Sequence, residues 1–158
     1  MNSGLALLRA FGIGVVAGLR SLTAPAAVAW AAHLGWLNLH GSPLAFMGSL
    51  WAVAIFTLLA LVEFVADQLS TTPARTTGVP LTARIVMGAL SGACLGVAGG
   101  ASLWLGALLG AIGGIAGAFG GYQARVGVVR VFHVPDFVVA IPEDLVAIGV
   151  GLLIASRF

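Results

Sequence analysis

The sequence predicts an all-α, polytopic membrane helical bundle of five to six membrane segments, folded as one membrane domain over residues 1–158. Three observations predict it. Hydrophobic residues fill 60% of the positions and charged ones 8%, whereas a soluble domain carries about a quarter charged residues. The stretches 21–62 and 85–124 contain no Asp, Glu, Lys or Arg, and each is about twice the ~20 residues that cross a bilayer as a helix. Each must therefore fold back on itself. Neither stretch alternates with a period of two, and a backbone in hydrocarbon must satisfy its own hydrogen bonds, so helices rather than barrel strands are expected.

The first segment, about Leu5 to Leu37, is too long for one ordinary span and is interrupted by Arg20, Ser21, Thr23 and Pro25. Proline removes a backbone donor and crowds the preceding turn, so the segment either kinks near Leu22 or breaks into two half-helices. A signal peptide is not expected here, because Arg9 and Arg20 bracket only ten apolar residues. Asn38, His40, Gly41, Ser42 and Pro43 make a turn, with Trp30 and Trp36 placed as interfacial residues before it. A second segment runs from about Pro43 to Leu69 and ends in Glu63, Asp67 and Gln68. The Thr- and Pro-rich loop 70–80 is the clearest boundary. From Leu81 to Tyr122 the chain reads as a helical hairpin turning at Gly99, Gly100, Ala101 and Ser102. Arg125, Arg130 and His133 follow on an apolar stalk, and Pro135 with Asp136 opens the last helix, which ends near Arg157.

All seven positive charges are arginine, and the acids are Glu63, Asp67, Asp136, Glu143 and Asp144. So few charges give no basic face for nucleic acid, which is excluded as a partner. Arg75, Arg84, Arg125 and Arg130 flank two loops on one side, expected to be cytoplasmic, and the bacterial cytoplasmic (inner) membrane is the expected location. Arg9 before Gly14 and Gly18 parallels Arg84 before Gly88, Gly92 and Gly96. The halves 1–75 and 80–158 are therefore candidate inverted repeats, an architecture of small transporters.

The glycines form stripes: Gly88, Gly92, Gly96 and Gly100, then Gly106, Gly110 and Gly114, and also Gly113, Gly117 and Gly121. Missing side chains let helix backbones approach closely, either within the chain or in a homo-oligomer through Gly106, Gly110 and Gly114. Cys94, the single cysteine, is read as a small core residue.

Charges at membrane depth are costly and need partners or water. Arg20, Glu63, Asp67, Glu143 and Asp144 are accordingly the candidate substrate-binding residues. Glu63 and Asp67 share a helix face, and Glu143 lies about 12 Å into a helix that starts at Pro135. Arg20, whose charge cannot be shed, is the natural counter-ion. The bland alternative has Glu63 and Asp67 at a helix end and Pro142, Glu143 and Asp144 as a helix N-terminus. His33, His40 and His133 show no metal-ligand spacing, so no metal and no cofactor are expected. Ser21, Thr23, Thr57 and Ser91 have no intramembrane histidine to act as base, so no enzyme is expected.

At Gly18, Leu19, Arg20, Ser21 and Pro25, then Glu63, Ala66 and Asp67, then Pro142, Glu143, Asp144 and Ala147, the chain resembles a bacterial membrane family catalogued as domain of unknown function 4126. The likeness covers nearly the whole chain. It implies a compact helical membrane protein and brings no established activity. The chain departs from the pattern at Ser21 and Leu22, where a small residue and an aromatic would follow the arginine.

Together these residues lead us to expect a small transporter or channel for a polar or ionic solute, with an intramembrane arginine and carboxylate site. The rival expectations are an assembly protein packing through its glycine faces and a lipid or isoprenoid-lipid handling role, with Arg20 meeting a headgroup phosphate.

Overall fold

A computed structural model describes residues 2–66, 76–132 and 136–156. Among these residues the chain is all helical: α1 (Ser3–Leu19), α2 (Thr23–His33), a short 3-10 turn (Ala45–Gly48), α3 (Leu50–Ala66), α4 (Gly78–Ala98), α5 (Leu103–Phe132) and α6 (Asp136–Ala155). Two of them, α4 and α5, are long and apolar enough to cross a membrane. The 30 residues of α5 make it about 45 Å long.

The first segment breaks rather than kinks. Arg20 is extended, with φ −141° and ψ 114°, and α2 begins three residues later. Pro25 thus falls in the first turn of α2, where a missing N–H leaves no helical bond unmade. The hairpin between α4 and α5 turns where expected, and Gly100 takes φ +71°, a left-handed conformation that glycine adopts without a Cβ penalty.

Glycine decides the packing of the core. α5 lies between α4 and α1. A Cβ added at Gly88 would sit 2.5 Å from the Gly110 carbonyl oxygen, one at Gly106 2.5 Å from that of Gly92, and one at Gly114 2.7 Å from that of Arg84. On the adjoining face, Gly113 and Gly117 meet the backbone of α1 at Phe11 and Val15, while Gly14 and Gly18 meet Gly110 and Gly114. The three helices are in backbone contact, which lipid-like surroundings favour through dispersion rather than through hydrophobic drive. Of the two readings of Gly106, Gly110 and Gly114, the packing within the chain is the one seen: α4 covers that face, and all three are buried.

Around this core sit α2, α3 and α6. α3 buries only Ala52 and Val53 and turns Leu50, Trp51, Leu58, Leu61 and Val65 outward. A soluble monomer rarely exposes so continuous an apolar face.

Candidate functional site

Breaking a helix leaves carbonyls open at one new end and N–H groups open at the other. Two distant side chains meet this need at the joint between α1 and α2. On the α1 side, Arg84 of α4, only 4% exposed, donates from Nε to the Gly18 carbonyl at 3.0 Å and from Nη1 to the Pro80 carbonyl at 3.1 Å. A cation belongs there, at the negative end of the helix dipole. On the α2 side, Leu22 offers no side-chain cap. Glu63, from α3, supplies one: its Oε1 accepts from Ser21 N at 2.9 Å and Ser21 Oγ at 2.6 Å, and its Oε2 accepts from Leu22 N at 2.9 Å. A carboxylate at a helix N-terminus is both an acceptor and a favourable charge.

Between these two caps lies Arg20. Its Nε donates to Oδ1 of Asp144, and both side chains are 2% exposed. The guanidinium carbon lies 5.1 Å from the centre of the Phe64 ring, within cation–π range. Asp144 reaches this depth because α6 starts at Asp136, which puts Asp144 about 12 Å along the helix axis. Pro142 is inside α6, so Pro142, Glu143 and Asp144 do not form a helix N-terminus.

Of the five candidate residues, the structure gathers Arg20, Glu63 and Asp144 around residues 20–22. Glu63 binds the amides beside Arg20, however, and Asp144 is the carboxylate that pairs with the Arg20 guanidinium. Glu143 is turned elsewhere: about 100° around α6 from its neighbour, its Oε2 lies 3.7 Å from Arg125 Nη1, with side chains 12% and 15% exposed. Asp67 lies outside the described residues. Arg84, Arg125 and Ser21 were missed as partners. Arg84 could have been suspected, since it stands six residues inside the apolar α4 rather than at its end. Ser21 finds a carboxylate, not a histidine, as its acceptor. Among the described residues no three metal-ligating side chains cluster.

A cavity of about 260 Å³ opens beside the pair. It runs between α2 and α3 with Ile148 and Leu152 of α6 along it. Arg20 and Phe64 stand at one end; at the other, Trp30 Nε1 donates to Thr57 Oγ1 at 3.0 Å. Ala26, Ala27 and Ala60 leave the space between. Arg20 is the charged side chain among the described residues lining it, while Asp144 and Glu63 are not part of the wall.

Comparison with known proteins adds one finding to this geometry. The family model described as Domain of unknown function (DUF4126) matches residues 7–156. No curated protein and no solved structure matches the chain.

Proposed function

The chain belongs to the family described as domain of unknown function 4126, and from that premise, which names no reaction, we propose that it is a small transporter or channel of the bacterial cytoplasmic membrane. Its polar centre is Arg20 with Asp144, and it binds and moves a polar or ionic substrate group there. The observation that carries this reading is the buried ion pair beside a cavity at a broken helix. Burying two charges is costly even when they are paired, and ionisable groups inside a membrane protein mark substrate or ion paths by default. Discontinuous helices build such sites in small transporters.

Glu63 and Arg84 have a sufficient account as caps of the two helix ends, so the pair carries the function. The proposal takes the bundle as multi-pass, with five or six membrane segments and glycine-packed helices. The outward apolar face of α3 supports it, as does the way α1 and α4 both meet α5 through glycine. In a pseudo-repeat, α1 to α3 correspond to α4 to α6. Assembly through Gly106, Gly110 and Gly114 is not proposed, because that face is covered within the chain.

The test is flux in proteoliposomes. The unmodified protein and the variant Arg20→Met/Asp144→Leu are reconstituted at equal density, and entry of protons, small cations, small anions and alkyl phosphates is followed with trapped dyes and isotopes. The unmodified protein should pass at least one of these species and the variant none. Equal flux in both would sink the proposal.

A further inference from the structure

The walls of the cavity narrow the substrate class. A free hydrated ion would enter a space whose sides are mostly alanine, leucine, isoleucine and phenylalanine, with Thr23, Thr57 and Trp30 as the uncharged polar side chains, and it would lose much of its water against a wall that gives little back. A molecule with an apolar part would not. The wall runs from Thr23 to Trp30 on α2 and from Phe64 to Thr57 on α3, seven residues on each, or about 10 Å of helix. The two helices pass in opposite directions, since Phe64 meets Arg20 and Thr57 meets Trp30. The space is therefore elongated, with a cation at one end. Its 260 Å³ has room for an alkyl chain.

Leu61 and Trp30 on the rim are exposed, as are Ile148 and Leu152, so the cavity opens sideways onto the apolar outer surface. A guanidinium presents five donors in a planar fork that matches carboxylate and phosphate oxygens. We infer that this cavity seats a single-chain anionic amphiphile, its carboxylate or phosphate head on Arg20 and its chain along α2 and α3 toward Trp30. The inference rests on the proposed role of Arg20 and Asp144 and names the substrate class of that site: the molecule enters from the membrane, chain first from the side, and Asp144 keeps the empty site neutral. Charge complementarity selects the occupant, because Arg20 is the charged side chain lining the cavity while Oδ1 of Asp144 is directed onto Arg20 Nε and the oxygens of Glu63 onto the amides of Ser21 and Leu22.

Trp30 supplies the readout. The other three tryptophans, Trp36, Trp51 and Trp104, are exposed and can be replaced by Phe, which leaves Trp30 as the sole reporter. In phosphatidylcholine vesicles, ω-bromodecanoate should quench Trp30 saturably, at a concentration at least tenfold lower than ω-bromodecanol, which has the same chain without the charge. Decyl phosphate should compete, and inorganic phosphate should not. In Arg20→Met/Asp144→Leu the difference between acid and alcohol should vanish. Equal quenching by acid and alcohol in the parent protein would overturn the inference, as would displacement by inorganic phosphate alone, which would make the ligand a free anion. Flux measured separately keeps the two readings apart: Arg20-dependent ion flux without amphiphile binding leaves the transport proposal standing and removes this one.

Discussion

Replacing one or both members of the buried pair separates its function from its contribution to stability. Asp144→Leu keeps roughly the size of the side chain but leaves the Arg20 charge without this carboxylate at a site 2% exposed. Arg20→Met leaves Asp144 in the same position. Removing one member of a buried pair costs about 3–5 kcal/mol, whereas replacing both with apolar residues is neutral or stabilising by about 1–4 kcal/mol. The Arg20→Met/Asp144→Leu chain should therefore be at least about 3 kcal/mol more stable than the sum of the two single changes implies. Reversible unfolding in mixed micelles, titrated with a denaturing detergent and followed by tryptophan fluorescence, measures all four members of the cycle. If the double variant is as unstable as the two singles added together, the pair holds the fold through more than its mutual charge, and loss of flux in that variant would say nothing about a site.

Three further outcomes follow from the same geometry. Glu63→Ala should cost about 0.5–4 kcal/mol, since it removes an N-terminal cap worth about 0.5–2 kcal/mol and a dipole partner worth up to ~2; Glu63→Gln should fall between, because its amide nitrogen would face the Leu22 N–H, and a loss under about 0.5 kcal/mol in the Ala variant would remove the capping account. Gly110→Ala should destabilise by about 1–3 kcal/mol or more, because the new Cβ would strike the Gly88 carbonyl, while Gly120→Ala, with open space around it, should be neutral or gain about 0.5–1 kcal/mol of helix propensity; equal effects at the two sites would contradict the close packing of α4 on α5. Ser91→Ala should stabilise by about 1 kcal/mol, since Ser91 is fully buried and its Oγ has no hydrogen-bond partner among the described residues, and a loss of stability in the same unfolding assay would reveal a partner.

The helix pattern was legible because it depends on local features. Apolar run length, the glycines at 99 and 100, and the polar residues from Arg20 to Pro25 placed the hairpin and the interruption of the first segment, and left open whether that interruption was a kink or a break. The site was legible only as a list of charges. Asp144 and Glu143 are adjacent and chemically alike, yet one faces Arg20 and the other Arg125, and about 100° of helix rotation separates them. Arg84 looked like a flanking charge of the loop before it and is instead an interior cap of another helix.

The amino-acid order alone therefore determined that the chain is helical, roughly where the helices fall, and which side chains could not be left in an apolar interior without partners, since each follows from composition and from spacing along one segment. The tertiary structure decided who those partners are. Glu63 sits 41 positions from the Leu22 amide and Arg20 sits 124 positions from Asp144, and contacts over such distances depend on how each helix is turned about its axis. That rotation follows from how α3 packs on α2 and α6 on α1 and α2, a property of the assembled faces rather than of any one segment.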